Sequence, residues 1–413
     1  MGLFHSHPPP VVGSVPYPPY CVRMLGSRHL LVAGGGGAAK TGVKNSLDIF
    51  LLEFGPDNNN NKLHLVHTAS IDTKDGASMN LDIVPGDPNR GQALIASGQD
   101  DKCFLYKAAF DVAYLGEKAL VPKLSLRVEP FRSFKSDFKP QSAYQRSVKI
   151  DPSKAKFLAT AGDDGMFRVW ETWKGEQLIE TQAHQTDIDA LDLSPDGKLL
   201  LTAGKDSKCY LWLPENGQRV TEVYVPSEVV ATNIKHRIRA ARFTNLGVNN
   251  YVFVTAWVPI QRSSKKQVSF LSLWAFNLRR NALRPLVTKD VCDEVICALS
   301  VSEDGQLTAV GTLQGSVMVF DSHSFKPLHS ARGTHSIFCT GVEFLPSPNP
   351  TQPDTVGSAL SVDYRGGVVS ISADQSLQLH LVPLERESSL TGFLVWLSII
   401  MCFVYFLLRL IGL

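Results

Sequence analysis

Along residues 1–388 the apolar positions come in short β-branched and aromatic runs, broken by Gly, Pro, Asn and Asp, with almost no helical periodicity. Runs of this length closed by turn residues predict an all-β domain of many short strands. Two stretches repeat: residues 157–170 read FLATAGDDGMFRVW and residues 199–212 read LLLTAGKDSKCYLW, which places Trp170 and Trp212 42 positions apart. That period is the length of one four-stranded propeller blade. The turn SPDG at 194–197 returns as SEDG at 302–305. It leads into LTAVGTLQGSVMVF, which ends at Phe320 in the same strand position.

These pieces resemble WD repeats. Taking the aromatic or apolar end of the equivalent strand in each gives marks near Leu52, Tyr106, Trp170, Trp212, Trp274, Phe320 and His380, hence a seven-bladed, WD-repeat-like β-propeller. A ring of blades must close. Val22–Leu25 is expected to do so, pairing into the last blade beside the strand that ends near His380. His184, Asp206 and Trp212 have the spacing to form a buried hydrogen-bonded set pinning a tight turn to the third strand, which favours a structural over a metal or catalytic role for His184. Three stretches interrupt the regularity. Asn58–Asn61 is expected to be a flexible turn tip, and residues 111–142 a long connection of mixed charge. The basic run KHRIRAAR at 235–242 reads either as a phosphate or headgroup contact or, the favoured reading, as a solvated loop or strand edge.

The pattern changes at the far end. Leu390–Leu408, LTGFLVWLSIIMCFVYFLL, carries no charge and shows no polar face. At 1.5 Å per residue a helix of this length spans about 28 Å, close to a bilayer's hydrocarbon core. Residues 389–413 are therefore expected to form one C-terminal transmembrane helix, a tail anchor, with residues 1–388 as a cytosolic propeller. Arg409 can snorkel to the far headgroups, and the modest span suits a thin membrane such as the endoplasmic reticulum.

Composition narrows the classes further. The 413 residues are 44% hydrophobic and 19% charged, which is globular, and a formal net charge of +2 gives no electrostatic reason to expect nucleic acid as a partner. The seven cysteines, Cys21, Cys103, Cys209, Cys292, Cys297, Cys339 and Cys402, lack zinc-site spacing and read as reduced thiols within strands. No His, Cys and carboxylate grouping has catalytic spacing.

One loop carries candidate chemistry. Residues 31–45 read LVAGGGGAAKTGVKN, and Gly34–Gly37 followed by Lys40 and Thr41 at first suggests a phosphate-binding P-loop. Ala39 stands where the P-loop pattern needs glycine, and SLDIFLLEF at 46–54 reads as a strand where a P-loop opens a helix. Glycines instead let carbonyls turn inward at positive φ, which could hold a hard monovalent cation; the plainer alternative is a flexible hairpin.

GGGGAAKTGVKN at 34–45, preceded by LLVA and with YPPY at 17–20 upstream, resembles the first blade of one family. Its members are the endoplasmic-reticulum exchange factors for the Sar-type small GTPase of the COPII coat. The resemblance runs over the whole chain, from the tyrosine–proline entry to the C-terminal anchor. It implies a guanine-nucleotide exchange factor, without bond chemistry of its own, that promotes GDP release and GTP loading at the start of coat assembly. It implies an exchange loop at 34–45 in which Asn45, Gly42 and Lys40 contact the GTPase. It further implies a structural potassium ion ordering that loop, held mainly by main-chain carbonyls around Gly34, Gly35, Gly36, Gly37 and Asn45. Partners would be the GTPase, the membrane and other COPII-associated proteins, with the chain single-pass in the endoplasmic reticulum and the propeller facing the cytosol. A protruding loop buries little area, so Asn45→Ala is expected to leave folding nearly intact. A membrane-tethered scaffold without exchange activity is the alternative.

Overall fold

The computed structural model describes residues 9–39, 42–57, 60–86, 92–113, 123–247, 249–260, 268–347, 360, 364–384, 398, 400, 401 and 403. The chain divides into two compact units, residues 1–382 and 383–413. The first is a seven-bladed all-β propeller of seven four-stranded antiparallel sheets. Blades one to six each use four consecutive strands, within 19–72, 78–135, 145–182, 188–222, 236–292 and 296–331. Their innermost strands touch in succession, and the last blade's, Cys339–Phe344, returns to Pro19–Leu25 of the first.

Closure uses the N-terminus, but not the segment the sequence suggested. The outer strand of blade seven is Val11–Ser14, antiparallel to Ser376–Pro383 with Val11 opposite Gln378 and Ser14 opposite Ser376. Val22–Leu25 belongs to the innermost strand of blade one. Both segments are apolar, but Tyr17 fixes which one turns inward. Tyr17 is buried, and its hydroxyl donates to Asp48 Oδ2 at 2.5 Å, so the chain has already passed from blade seven to blade one at that point.

In blades two to six the pairing of third and fourth strands slips by one residue at the aromatic mark, at Leu105/Tyr106, Val169/Trp170, Leu211/Trp212, Leu273/Trp274 and Val319/Phe320, with the extra residue on the fourth strand. Blade one bulges at Ile49/Phe50, so its mark is Phe50 and not Leu52. That strand runs on to Asp57, and its apolar end misleads. The tryptophans of blades three, four and five are held alike. Each indole N–H donates to a threonine Oγ1 on the second strand, Trp170 to Thr160 at 2.9 Å, Trp212 to Thr202 at 2.9 Å and Trp274 to Thr255 at 3.0 Å.

The His184 set forms as expected, with Thr202 as a link the sequence did not reveal. His184 Nδ1 meets Asp206 at 3.0 Å, and its Nε2 meets the same Thr202 hydroxyl that Trp212 holds, at 2.9 Å. Blade seven repeats the circuit with other residues. His335 contacts Asp374 at 3.4 Å and Ser370 at 2.7 Å, and His380, in the tryptophan position, meets Ser370 at 2.8 Å and His329 at 3.2 Å.

Two other expectations change. The described part of residues 111–142 is mostly strand: the long hairpin of blade two runs through Ala113 and resumes over Lys123–Lys135. The basic run 235–242 falls on an edge strand, as one reading had it, but on the edge that faces the channel. It lies in His236–Thr244, the innermost strand of blade five, whose arginines alternate with buried residues. The innermost strands border the central channel, and Arg239 and Arg242 line the cavity there. There one position from each innermost strand makes a girdle of Arg23, Asp82, Lys149, Asp192, Arg242, Ser300 and Glu343. Arg23 pairs with Glu343 at 2.7 Å, and Lys149 with Asp82 at 3.3 Å and Asp192 at 3.1 Å. The same acids staple neighbouring blades by accepting main-chain N–H groups from Met24, Ile150 and Phe243.

Asn58–Asn61 falls at a hairpin tip, where Asp57 pairs with Asn60 and residues 58–59 lie outside the described set. The described cysteines are free, and Cys402 lies outside that set. Of the expected anchor only Ser398, Ile400, Met401 and Phe403 are described, as helical residues. Among the described residues no helix is long and apolar enough to cross a membrane.

Candidate functional site

The glycine loop joins the second and third strands of blade one, His29–Gly34 and Ser46–Asp57. In an antiparallel blade this connection opens at the same end as the crossing from a fourth strand to the next blade. The crossing from blade one to blade two, Thr73–Ala77, therefore lies beside it. The ladder holds to the pair Gly34 and Ser46, after which the chain makes a short 3-10 turn at Gly37–Ala39. Ala38, Ala39, Gly42, Val43 and Lys44 are exposed or half-buried, whereas Lys40 and Thr41 lie outside the described residues.

Two of the glycines are required by space. A Cβ at Gly34 would run into the Pro18 carbonyl oxygen, and one at Gly35 into the Asn45 side chain. Gly35, at φ +144°, also donates its N–H to Pro18 O at 3.1 Å. Gly37 and Gly42, at φ +68° and +80°, have open space around them, so there the demand is conformational.

Asn45 closes the loop from within. Its Oδ1 accepts from Gly37 N–H at 2.8 Å, and its Nδ2 donates to the carbonyls of Gly37 at 3.3 Å and Lys74 at 2.8 Å. Its main-chain carbonyl accepts from Thr73 N–H at 3.1 Å. The residue itself is 5% exposed, and truncating it leaves the part-buried groups of Gly37 and Lys74 unmet, a modest stability cost beyond the nearly intact folding expected of a protruding loop. Asn45, Gly35 and Gly37 meet at the loop base, Gly34 sits in the adjoining strand, and Gly42 stands apart on the exposed limb.

Sequence reasoning missed the residues supporting this base. TKDG at 73–76 is a turn signature, and here it supplies the second anchor. Thr73 Oγ1 donates to Gly76 O at 2.8 Å, and Lys74, at φ +59°, donates its N–H to Asp72 at 2.8 Å. Beneath Asn45 lies a polar set centred on buried Asp48, which accepts from Tyr17 and Ser46 and meets His67 Nε2 at 3.1 Å. Burial first, and then the Asp48 carboxylate, drives the Tyr17 pKa far above its ordinary value, so its hydroxyl stays a donor.

The donor set at the loop suits one class of cation. Among the described residues no three His, Cys, Asp or Glu side chains gather as a metal site. What Gly34–Gly37 offers is main-chain carbonyls on a backbone free to turn, and Asn45 Oδ1 keeps a second lone pair beyond the Gly37 bond. Neutral oxygens of this kind fit a weakly hydrated monovalent ion better than zinc or magnesium.

The surface around the loop is apolar in places. Val43 is exposed on the loop itself, and exposed Phe138, Val225, Val230, Ile260 and Phe338 occupy connections opening at the same end of other blades. The family model "WD domain, G-beta repeat" matches residues 175–212, the stretch containing His184, Asp206 and Trp212. The chain is 30% identical to the Guanine nucleotide-exchange factor SEC12 of Mus musculus, over 94% of this chain and 93% of that protein. The same identity and coverage hold for the Rattus norvegicus protein of that name. SEC12-like protein 2 of Arabidopsis thaliana is 22% identical over 61% of this chain and 54% of that protein.

Proposed function

The chain belongs to the SEC12 family of guanine nucleotide-exchange factors, and on that premise we propose that it releases GDP from, and so loads GTP on, a Sar-type small GTPase at the endoplasmic-reticulum membrane, starting COPII coat assembly. The observation carrying this reading is the glycine loop 34–45, clamped at its base by Asn45 and rising from a rigid propeller. A propeller of this kind alone would support any binding role.

The loop's part is mechanical. An exchange factor binds the nucleotide-free GTPase more tightly than the loaded form, and by reciprocity weakens nucleotide binding by the same factor. Asn45 holds Gly37 against the Lys74 turn, so the exposed limb Gly42–Lys44 is presented in one conformation. A stiff element can displace switch segments of the GTPase without giving way itself. The exposed apolar residues on neighbouring connections supply area for the remainder of the contact. Carbonyls of Gly34–Gly37, with Asn45, would hold the potassium ion, whose chemistry is charge neutralisation among inward-facing oxygens.

Anchoring falls to Leu390–Leu408. Ser376–Pro383 ends at the face opposite the exchange loop, because third strands run away from the connection that feeds them. The rival is a membrane-tethered scaffold that binds partners without affecting nucleotide. Release of labelled GDP from a Sar-type GTPase and from an unrelated small GTPase separates the two. Acceleration confined to the Sar-type protein is expected, whereas unchanged release from both leaves the scaffold.

A further inference from the structure

The basic run of blade five is not used by the exchange loop, and its place in the channel gives it a chemistry of its own. A cavity of about 210 Å³ lies between the innermost strands, walled by Arg23, Arg146, Lys149, Arg239 and Arg242 against one carboxylate, Asp189. Most of these cations are already neutralised. Arg146 pairs with Asp163 and Asp187, Arg239 lies 3.6 Å from Asp189, and Arg23 and Lys149 pair within the girdle.

Arg242 differs. Charges in the girdle alternate in sign around the ring, and seven members cannot alternate and close. The break comes at Ser300, directly after Arg242. Among the described residues no carboxylate stands at ion-pair distance from the Arg242 guanidinium, whose hydrogen bond goes to the carbonyl of Ala241 at 2.8 Å. Burial pulls its pKa down, with Asp192 opposing, which marks a charge held out of water without full compensation. Four N–H donors of that fork remain to face the cavity.

We propose that the central channel is a binding site for a small phosphate-class oxyanion, seated on Arg242 with Arg239 on the loop-face side. The planar guanidinium offers paired donors to a tetrahedral oxyanion, and the anion supplies the counter-charge that no carboxylate gives Arg242 at ion-pair distance. At roughly 30 Å³ per water the cavity holds about seven water volumes, room for one such ion and some of its hydration. The acids cannot turn to serve Arg242 instead, because Asp192 and Glu343 are fixed by the main chain of the next blade.

The test titrates inorganic phosphate into the full chain in detergent, against chloride at equal ionic strength, by calorimetry and by melting temperature. Phosphate alone is expected to give saturable heat and a melting temperature that rises with concentration. Arg242→Gln is expected to weaken binding at least tenfold. Should that variant fail to fold, Arg239→Gln, closer to solvent, decides the matter with a loss of several-fold. Glycerol 3-phosphate in a parallel arm tells a free ion from a phosphate monoester: tighter binding of the ester assigns the natural ligand to the esters. Identical responses to phosphate and chloride overturn the site, as does wild-type affinity in the folded arginine variants.

Discussion

At Asn45 one amide accepts from Gly37 and donates to Gly37 and Lys74, so its two ends can be tested apart. Asn45→Asp keeps the acceptor but turns a carboxylate oxygen against two carbonyls. Asn45→Ala leaves all three partners unmet, at about 1–3 kcal/mol for buried groups without a substitute. Both variants should lower exchange many-fold with only a modest fall in melting temperature, the aspartate being no better than the alanine. An aspartate with wild-type exchange would show that the donor end is idle. Replacing potassium by sodium at equal ionic strength should slow GDP release several-fold, and equal rates would remove the ion from the loop. The histidines in and beside blade seven make a separate prediction. Burial holds His335, His329 and His380 below their ordinary pKa, with neighbouring histidine charge adding to it at His380 and Asp374 opposing it at His335. Folded pKa values below the unfolded value of about 6.5 mean that the unfolded chain takes up protons first. Stability is therefore full above that pH and is lost as pH falls below it. Melting temperature should drop between pH 7.5 and 5.5. His380→Phe, which copies Phe320 of blade six, should shrink the drop; an unchanged drop would place the acid sensitivity elsewhere.

Strand identity was legible where a local signal and a long-range one agreed. The 42-residue repeat between Trp170 and Trp212 needed no tertiary knowledge, because the indole, the threonine and the tight turn all lie within one blade. The closure was not legible in detail. Val11–Ser14 and Val22–Leu25 are both short apolar runs, and only the burial of Tyr17 against Asp48 assigns them. KHRIRAAR was legible only in part: a charged, alternating run reads as a solvated edge, and it is an edge strand, but one that a ring of blades turns toward the channel and other charges. Closure carries its own test. Deleting residues 1–14 should expose the edge of Ser376–Pro383 and cause aggregation or a large loss of melting temperature. A truncated protein that melts like the full chain would mean the outer strand contributes nothing.

For the molecule as a whole, the propeller and its glycine loop were readable, while the loop's supports were not. The glycines and Asn45 stand together in sequence, but Pro18, Thr73 and Lys74 reach them only through the fold. The proposed membrane attachment rests on Leu390–Leu408, and removing residues 390–413 should turn a carbonate-resistant protein into a soluble, folded one. Recovery of the full chain in the soluble fraction would refute the anchor. The decisive measurement concerns exchange. GDP release from a Sar-type GTPase is compared for wild type, Asn45→Ala and the Gly35→Val/Gly36→Val double variant, at temperatures where all three are equally folded. The valine at 35 meets the Asn45 side chain directly, so the double variant should fail as the alanine does. Wild type should accelerate release strongly, with both variants near the uncatalysed rate. Three equal rates would take the loop out of exchange altogether.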